Sequence, residues 1–291
     1  MSQNKKFKKN SNSFFCKTLS RFCNKSPRIA VLNLNGVIGK DSKLEQGINF
    51  NNYLPLINKA FTTKKISAVA LAINSPGGSP VQSELIYNLI RELSKKHEIP
   101  VYSFAQDVCA SGGYFLLLSG DEIYAHNSSI IGSIGVIFSS FGFVDLIKKI
   151  GVERRIYTEG KNKAILDPFL PEQSENIEIL KEAQKDIYEH FKNIVRTSRK
   201  NKLTKSEDEL FTGAFWAGSS AHKLGLIDGI SDLRSKMQEK FGDKVEFIEI
   251  TPKKSFIKGL ISEKSSIKYD YFLQNLFYKI EEKINFNKFG L

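Results

Sequence analysis

The segment ISAVALAIN, residues 66–74, is apolar almost throughout. A strand with that composition is buried on both faces, as in a parallel sheet covered by helices on each side. SPGGSP breaks it. VQSELIYNLIRELSKKH follows with Leu85, Ile86, Leu89, Ile90 and Leu93 at helical spacing and its basic residues at the C-terminal end. The unit then repeats. IPVYSFAQ reads as a strand, and ASGGYFLLLSG turns from it into a helix. RIAVLNLNGVIG, upstream, is a further strand ending in glycines. Strands alternating with helices over residues 28–160 predict an α/β fold built on a parallel sheet.

The rest of the chain reads less sharply. Residues 41–63 carry one helical pattern with Leu54, Ile57, Ala60 and Phe61. DEIYAHNSSIIGSIGVIF reads as a strand with a glycine-punctuated loop, FVDLIKKIG as a helix, and VERRIYT as another strand. Residues 171–200 form one long helix, with a stripe of Ile177, Leu180, Ala183, Ile187, Phe191, Ile194 and Val195. A short helix near 217–224, GLIDGISDLRSKMQEKF and the strand KVEFIEI complete the domain.

The 291 residues are 41% hydrophobic and 25% charged, enough for one large domain or two small ones. The net charge of +12 sits at the ends. Residues 1–28 hold eight Lys/Arg and no acid, and residues 252–291 hold eight Lys against four acids. Removing these from the totals of 43 and 31 leaves 27 of each sign, so the core is neutral. We divide the chain into a basic flexible leader (1–27), a core domain (28–250) and a basic helical extension (251–291). Basic ends suit an anionic membrane face or a solvated tail. Phe14, Phe15, Leu19 and Phe22 would share one face of a short basic helix, and Tyr269, Phe272, Leu273, Leu276, Ile280 and Ile284 one face of another. No 18-residue apolar run and no secretory core are present, so the expected location is the cytoplasm or the periphery of the inner membrane. Cys16, Cys23 and Cys109 make no disulfide framework, and no Cys/His spacing suits zinc.

Chemistry concentrates in two places. In VCASGG, Ser111 stands between a strand and a helix, where a hydroxyl is presented above a sheet; the competing role is an ordinary helix N-cap. INSPGGSP is a second glycine loop between strand and helix. One N–H from it and one from the residue after Ser111 would form an oxyanion hole. It matches neither nucleotide-binding glycine pattern. A serine nucleophile needs a base. His97 and His190 read as solvated helix positions, while His126 and His222 stay open as partners. EGKNKAILDPF offers Lys161 and Lys163, since a lysine serves as base when its amine is neutral.

Together, RIAVLNLNGVIG, ALAINSPGGSPVQSELIYNLIREL, IPVYSFAQDVCASGGYFLLLSGDEIYAHNSSIIGSIGVI, EGKNKAILDPF and FWAGSSAHKLGLIDGISD resemble, in this order and spacing, the signal peptide peptidase A family of Ser-Lys peptidases, including its SohB branch. The resemblance covers residues 28–248. It implies a ClpP/crotonase-like fold of repeated β-β-α units with a parallel sheet. It implies Ser111 as nucleophile, Lys163 as general base, Gly78 and Gly112 as oxyanion donors, and Ser133 as the hydroxyl that positions the lysine. It further implies a single-repeat form assembling into a dome-like homo-oligomer, an octamer in some readings, with serine and lysine from adjacent subunits. The implied substrates are unstructured, largely hydrophobic peptides such as remnant signal peptides or membrane-protein fragments. Neither cofactor, metal, ATP nor nucleic acid is expected. The rival readings are a crotonase-like acyl-CoA enzyme and a non-catalytic membrane-associated scaffold.

Overall fold

A computed structural model describes residues 26–39 and 47–251, together with Phe286 and Phe289. The leader through residue 25 and nearly all of the extension beyond 251 lie outside the described residues, as do the two amphipathic helices read there.

The sheet is built from β1 (Arg28–Asn35), β2 (Ile66–Ser75), β3 (Val101–Ala110), β4 (Glu122–Ala125), β5 (Ile130–Gly132), β6 (Phe215–Ala217), β7 (Gly229–Ile230) and β8 (Glu246–Glu249). Its order is β6-β5-β3-β2-β1-β8, with β4 beside β3 and β7 beside β4. Only β5 and β6 pair antiparallel; every other pairing is parallel. This is the parallel α/β architecture expected from the strand–helix alternation.

Side-chain alternation explains the two-sided burial. From β1, Ala30, Leu32 and Leu34 enter the larger core, while Ile29 and Val31 enter a smaller one on the other face. β2 divides the same way, with Val69, Leu71 and Ile73 on one side and Ala68 and Ala70 on the other. Helices α1 (Phe50–Thr62), α2 (Pro80–His97) and α3 (Gly112–Leu117) cover the larger core. Each of the two long helices α1 and α2 starts on a side-chain cap: Asn49 accepts from Asn52 N–H and Ser79 from Gln82 N–H.

Beyond α4 (Val144–Lys149) runs the 26-residue helix α5 (Ser174–Arg199). It departs from the sequence expectation. Of its apolar stripe only Phe191 and Val195 are buried, and Ile187 is 40% exposed. VERRIYT is not a strand: residues 152–158 form no ladder, and Tyr157 is 92% exposed. A β-pattern needs a partner strand to become a strand, and the described residues supply none there. DEIYAHNSSIIGSIGVIF likewise makes two short strands, β4 and β5, instead of one. After α5 come α6 (Glu207–Leu210), α7 (Gly218–Lys223) and α8 (Leu233–Phe241), the last against the smaller core through buried Met237.

The C-terminal end of α5 is fixed by a buried ion pair. Arg199, 1% exposed, donates through Nη1 and Nη2 to Asp228 at 3.0 and 2.9 Å and through Nε to the Gly225 carbonyl at 2.8 Å. Burial pushes the Asp228 carboxyl up. Hydrogen bonds from Arg199 and Lys202 outweigh that and hold it below its ordinary value.

Candidate active site

β2 and β3 are in register to Ile73 and Ala105, then shift so that Ser75 faces Cys109. Asn74 holds the resulting bulge. Its side chain accepts from Val108 N–H at 3.1 Å and donates to Asp107 at 3.2 Å, while its carbonyl accepts from Gly36 N–H at 3.0 Å. The bulge delivers the end of β3 to Ser111. That serine has φ 53° and ψ −122°, a conformation costly for a residue with a Cβ. Its N–H donates to the Gly132 carbonyl at 2.8 Å, and its carbonyl accepts from Phe115 N–H at 3.0 Å. Its hydroxyl makes no cap bond to the helix that follows. The N-cap role is therefore not what the side chain does.

The SPGG loop lies directly against this turn. Ile38 N–H donates to the Gly77 carbonyl at 2.8 Å, and Ser79 N–H donates to the Ile38 carbonyl at 2.9 Å. In that parallel bridge the intervening Gly78 turns its own N–H away from Ile38. Gly78 has φ 142°, and a Cβ there would fall 2.1 Å from the Ile38 oxygen, so the bridge requires glycine. A Cβ on Gly112 would lie 2.6 Å from Ser83 Oγ and 3.4 Å from Gly78 N. The two glycine backbones thus converge, and neither N–H donates to another described residue.

Ser111, Gly78 and Gly112 line one cavity of about 350 Å³ with Ser83, Phe115 and Phe191. Ser133 is the residue after Gly132, whose carbonyl binds Ser111; it too has positive φ (53°), and its N–H donates to the Ala214 carbonyl at 2.7 Å. Four of the five expected site residues therefore gather at neighbouring turns.

Lys163 does not join them within the protomer. It is exposed, on a series of turns where its N–H donates to the Gly160 carbonyl at 3.1 Å, and it lines no cavity with Ser111. Asp167 in the same loop accepts from Arg154 Nη2 at 2.8 Å and from Phe169 N–H at 2.9 Å, which hold its carboxyl below its usual range. Lys161 lines a different cavity, of about 490 Å³, bounded by Phe138, Phe141 and Leu180.

The histidines also sort themselves. His126 and His222 are exposed and outside the Ser111 cavity. His190, read from sequence as solvated, is indeed exposed, and it also lines the rim of that cavity. Its Nε2 lies 3.3 Å from Glu84 Oε1, and its ring lies 6.0 Å from that of Phe115. The signal for this was the adjacent Phe191, which shows that this turn of α5 faces the core. Beneath Ser111, the Cys109 thiol is fully buried and donates to the Ile73 carbonyl at 3.1 Å; burial pushes its pKa far up.

Residues 93–244 match the model of peptidase family S49. The chain belongs to that family. The names of two relatives agree with an S49 assignment, and a third similar protein carries an antiporter name. A putative signal peptide peptidase SppA of Enterococcus faecium is 33% identical over 207 residues, 70% of this chain and 60% of its own. The chloroplastic serine protease SPPA of Arabidopsis thaliana is 30% identical over 250 residues, 81% of this chain and 36% of its own. A Brucella abortus protein named Na(+)/H(+) antiporter NhaA is 48% identical over 245 residues, 84% of this chain but 33% of its own. This S49 chain thus spans between a third and three fifths of the length of these relatives. Among its described residues no helix is long and apolar enough to cross a membrane.

Proposed function

We propose that this chain is a serine endopeptidase in which Ser111 is the nucleophile and Lys163 the general base. One observation carries the reading: a strained serine with an uncapped hydroxyl shares a cavity with Gly78 and Gly112, whose adjacent N–H groups donate to no other described residue. The neutral Lys163 amine takes the Ser111 proton as Oγ bonds to the peptide carbonyl carbon. The carbonyl oxygen, now negative, is held by the two N–H groups. The Lys163 ammonium returns its proton to the leaving nitrogen as the C–N bond breaks, and water then hydrolyses the serine ester.

Lys163 reaches Ser111 from a neighbouring copy of the chain, where Ser133 orients it. Its exposure in the protomer supports this, as do the uncovered apolar residues of the segment that carries it: Ile137 (83% exposed), Phe141 (80%) and Tyr157 (92%). An exposed amine is protonated at neutral pH, and covering it at a subunit contact favours the neutral form. The assembly is a dome-like homo-oligomer, and the basic ends make peripheral contact with anionic membrane. The substrates are unstructured, largely hydrophobic peptides such as signal-peptide remnants, which add as a strand beside the SPGG loop.

His190, paired with Glu84 in the same cavity, supports a second reading in which histidine is the base. Fluorophosphonate labelling with the adduct mapped by mass spectrometry tests both. The lysine reading expects label on Ser111, lost in Lys163→Ala. Labelling that survives Lys163→Ala and fails in His190→Ala would transfer the role to His190. Label elsewhere, or none, would remove Ser111.

A further inference from the structure

The cavity beside Ser111 has a chemical character that the peptidase reading leaves unused. Its walls are mostly apolar: Phe115 and Phe191, whose rings lie 5.3 Å apart, with Val81, Val136 and Ile187. Its carboxylates are Glu84 on α2 and Asp186 on α5, and His190 on α5 also lines it. No lysine or arginine lines it among the described residues. Lys181 and Lys185 line an adjoining groove that meets the cavity at Gly135 and Val136, and Lys192 is paired with Glu189. Glu84 meets His190 through Oε1 alone, and Asp186 has no partner among the described residues.

Position decides which substrate group enters. Gly78 and Gly112 both line this cavity, so it is the space open beside a carbonyl oxygen held between their N–H groups. We propose that this cavity receives the side chain of the residue supplying that carbonyl, and that Glu84 and Asp186 select one with a long apolar stem and a cationic end, lysine or arginine, and reject a carboxylate. The stem lies along Phe115, Phe191 and Ile187, and the cation reaches the two carboxylates. Glu84 and Asp186 are specificity residues and take no part in bond making. The proposal rests on Ser111 being the nucleophile.

The test uses the full chain and three fluorogenic peptides that differ only in the residue supplying the scissile carbonyl: arginine, leucine or glutamate. Arginine should be cleaved in strong preference to glutamate. Each of Glu84→Gln and Asp186→Asn should lower the arginine-to-glutamate ratio of kcat/KM by roughly fivefold, the size of one partly exposed charge pair. Both are near-isosteric changes at solvent-accessible positions, and thermal melts check that folding is kept. A ratio unchanged in the double variant, or wild-type protein that cuts the glutamate peptide as well as the arginine peptide, overturns the proposal and leaves the nucleophile standing. Failure of the wild type to cut any of the three overturns both.

Discussion

The backbone nitrogen of Gly78 lies 3.4 Å from the point where a Cβ on Gly112 would sit, so turns from two different strands bring these two backbones together. That point has no room for a methyl group. Gly112→Ala would press on Ser83 Oγ at 2.6 Å, and we expect peptide turnover to fall ~10²-fold or more, as for loss of one oxyanion donor. Adding Ser83→Ala removes the obstructing atom and should restore part of kcat. Steady-state kinetics on the single and double variants checks this. No recovery in the double variant would mean that the lost rate has another origin.

The Arg199–Asp228 pair should dominate the anchoring of α5. Arg199→Met leaves Asp228 only Lys202 and the Ile123 N–H as partners and should cost about 3 kcal/mol or less, read from urea melts at pH 7. The folded Asp228 pKa lies below its unfolded value. Its stabilisation is therefore complete above about pH 4 and is lost as pH falls through the lower, folded value. The stability gap between wild type and Asp228→Asn should shrink from pH 7 to pH 3. A gap that stays constant would contradict the assignment.

Cys109 sits two residues before Ser111, the proposed nucleophile, and invites a thiol explanation for any inhibitor effect. It is fully buried, its thiol donates to Ile73, and its pKa is far above the ordinary thiol value. Iodoacetamide at pH 8 should leave Cys109 unmodified in the folded protein and alkylate it in guanidinium, as read by peptide mass spectrometry. Rapid alkylation of the native protein would contradict this burial.

A lysine base makes activity rise with pH, because only the neutral amine takes a proton. The kcat/KM profile should climb through the alkaline range. A profile flat from about pH 6 to 10 would count against lysine, and a midpoint at 6–7 would favour His190.

What the sequence made legible was local. The run ISAVALAIN sets a strand buried on both faces by composition alone, and the turn at Ala110–Gly113 needs nothing remote to be recognised. What it hid depends on partners. VERRIYT carries a strand pattern but has no neighbouring strand to pair with. The N-terminal part of the α5 stripe, Ile177 to Ile187, is apolar but not buried. That His190, though exposed, also edges the Ser111 cavity follows from the packing of Phe191 on Phe115, a contact the sequence only hints at. The bulge at Asn74, which steers β3 toward Ser111, likewise appears only once β2 and β3 are paired.

The central claim is that Ser111 of one subunit works with Lys163 of another. Co-expressing differently tagged Ser111→Ala and Lys163→Ala chains, and isolating mixed assemblies by both tags, tests it most directly. Each variant alone should be inactive. Random mixing should return about a quarter of wild-type sites, because a working site needs an intact serine from one copy and an intact lysine from its neighbour. Purified mixed assemblies with no more activity than either parent would contradict the shared site.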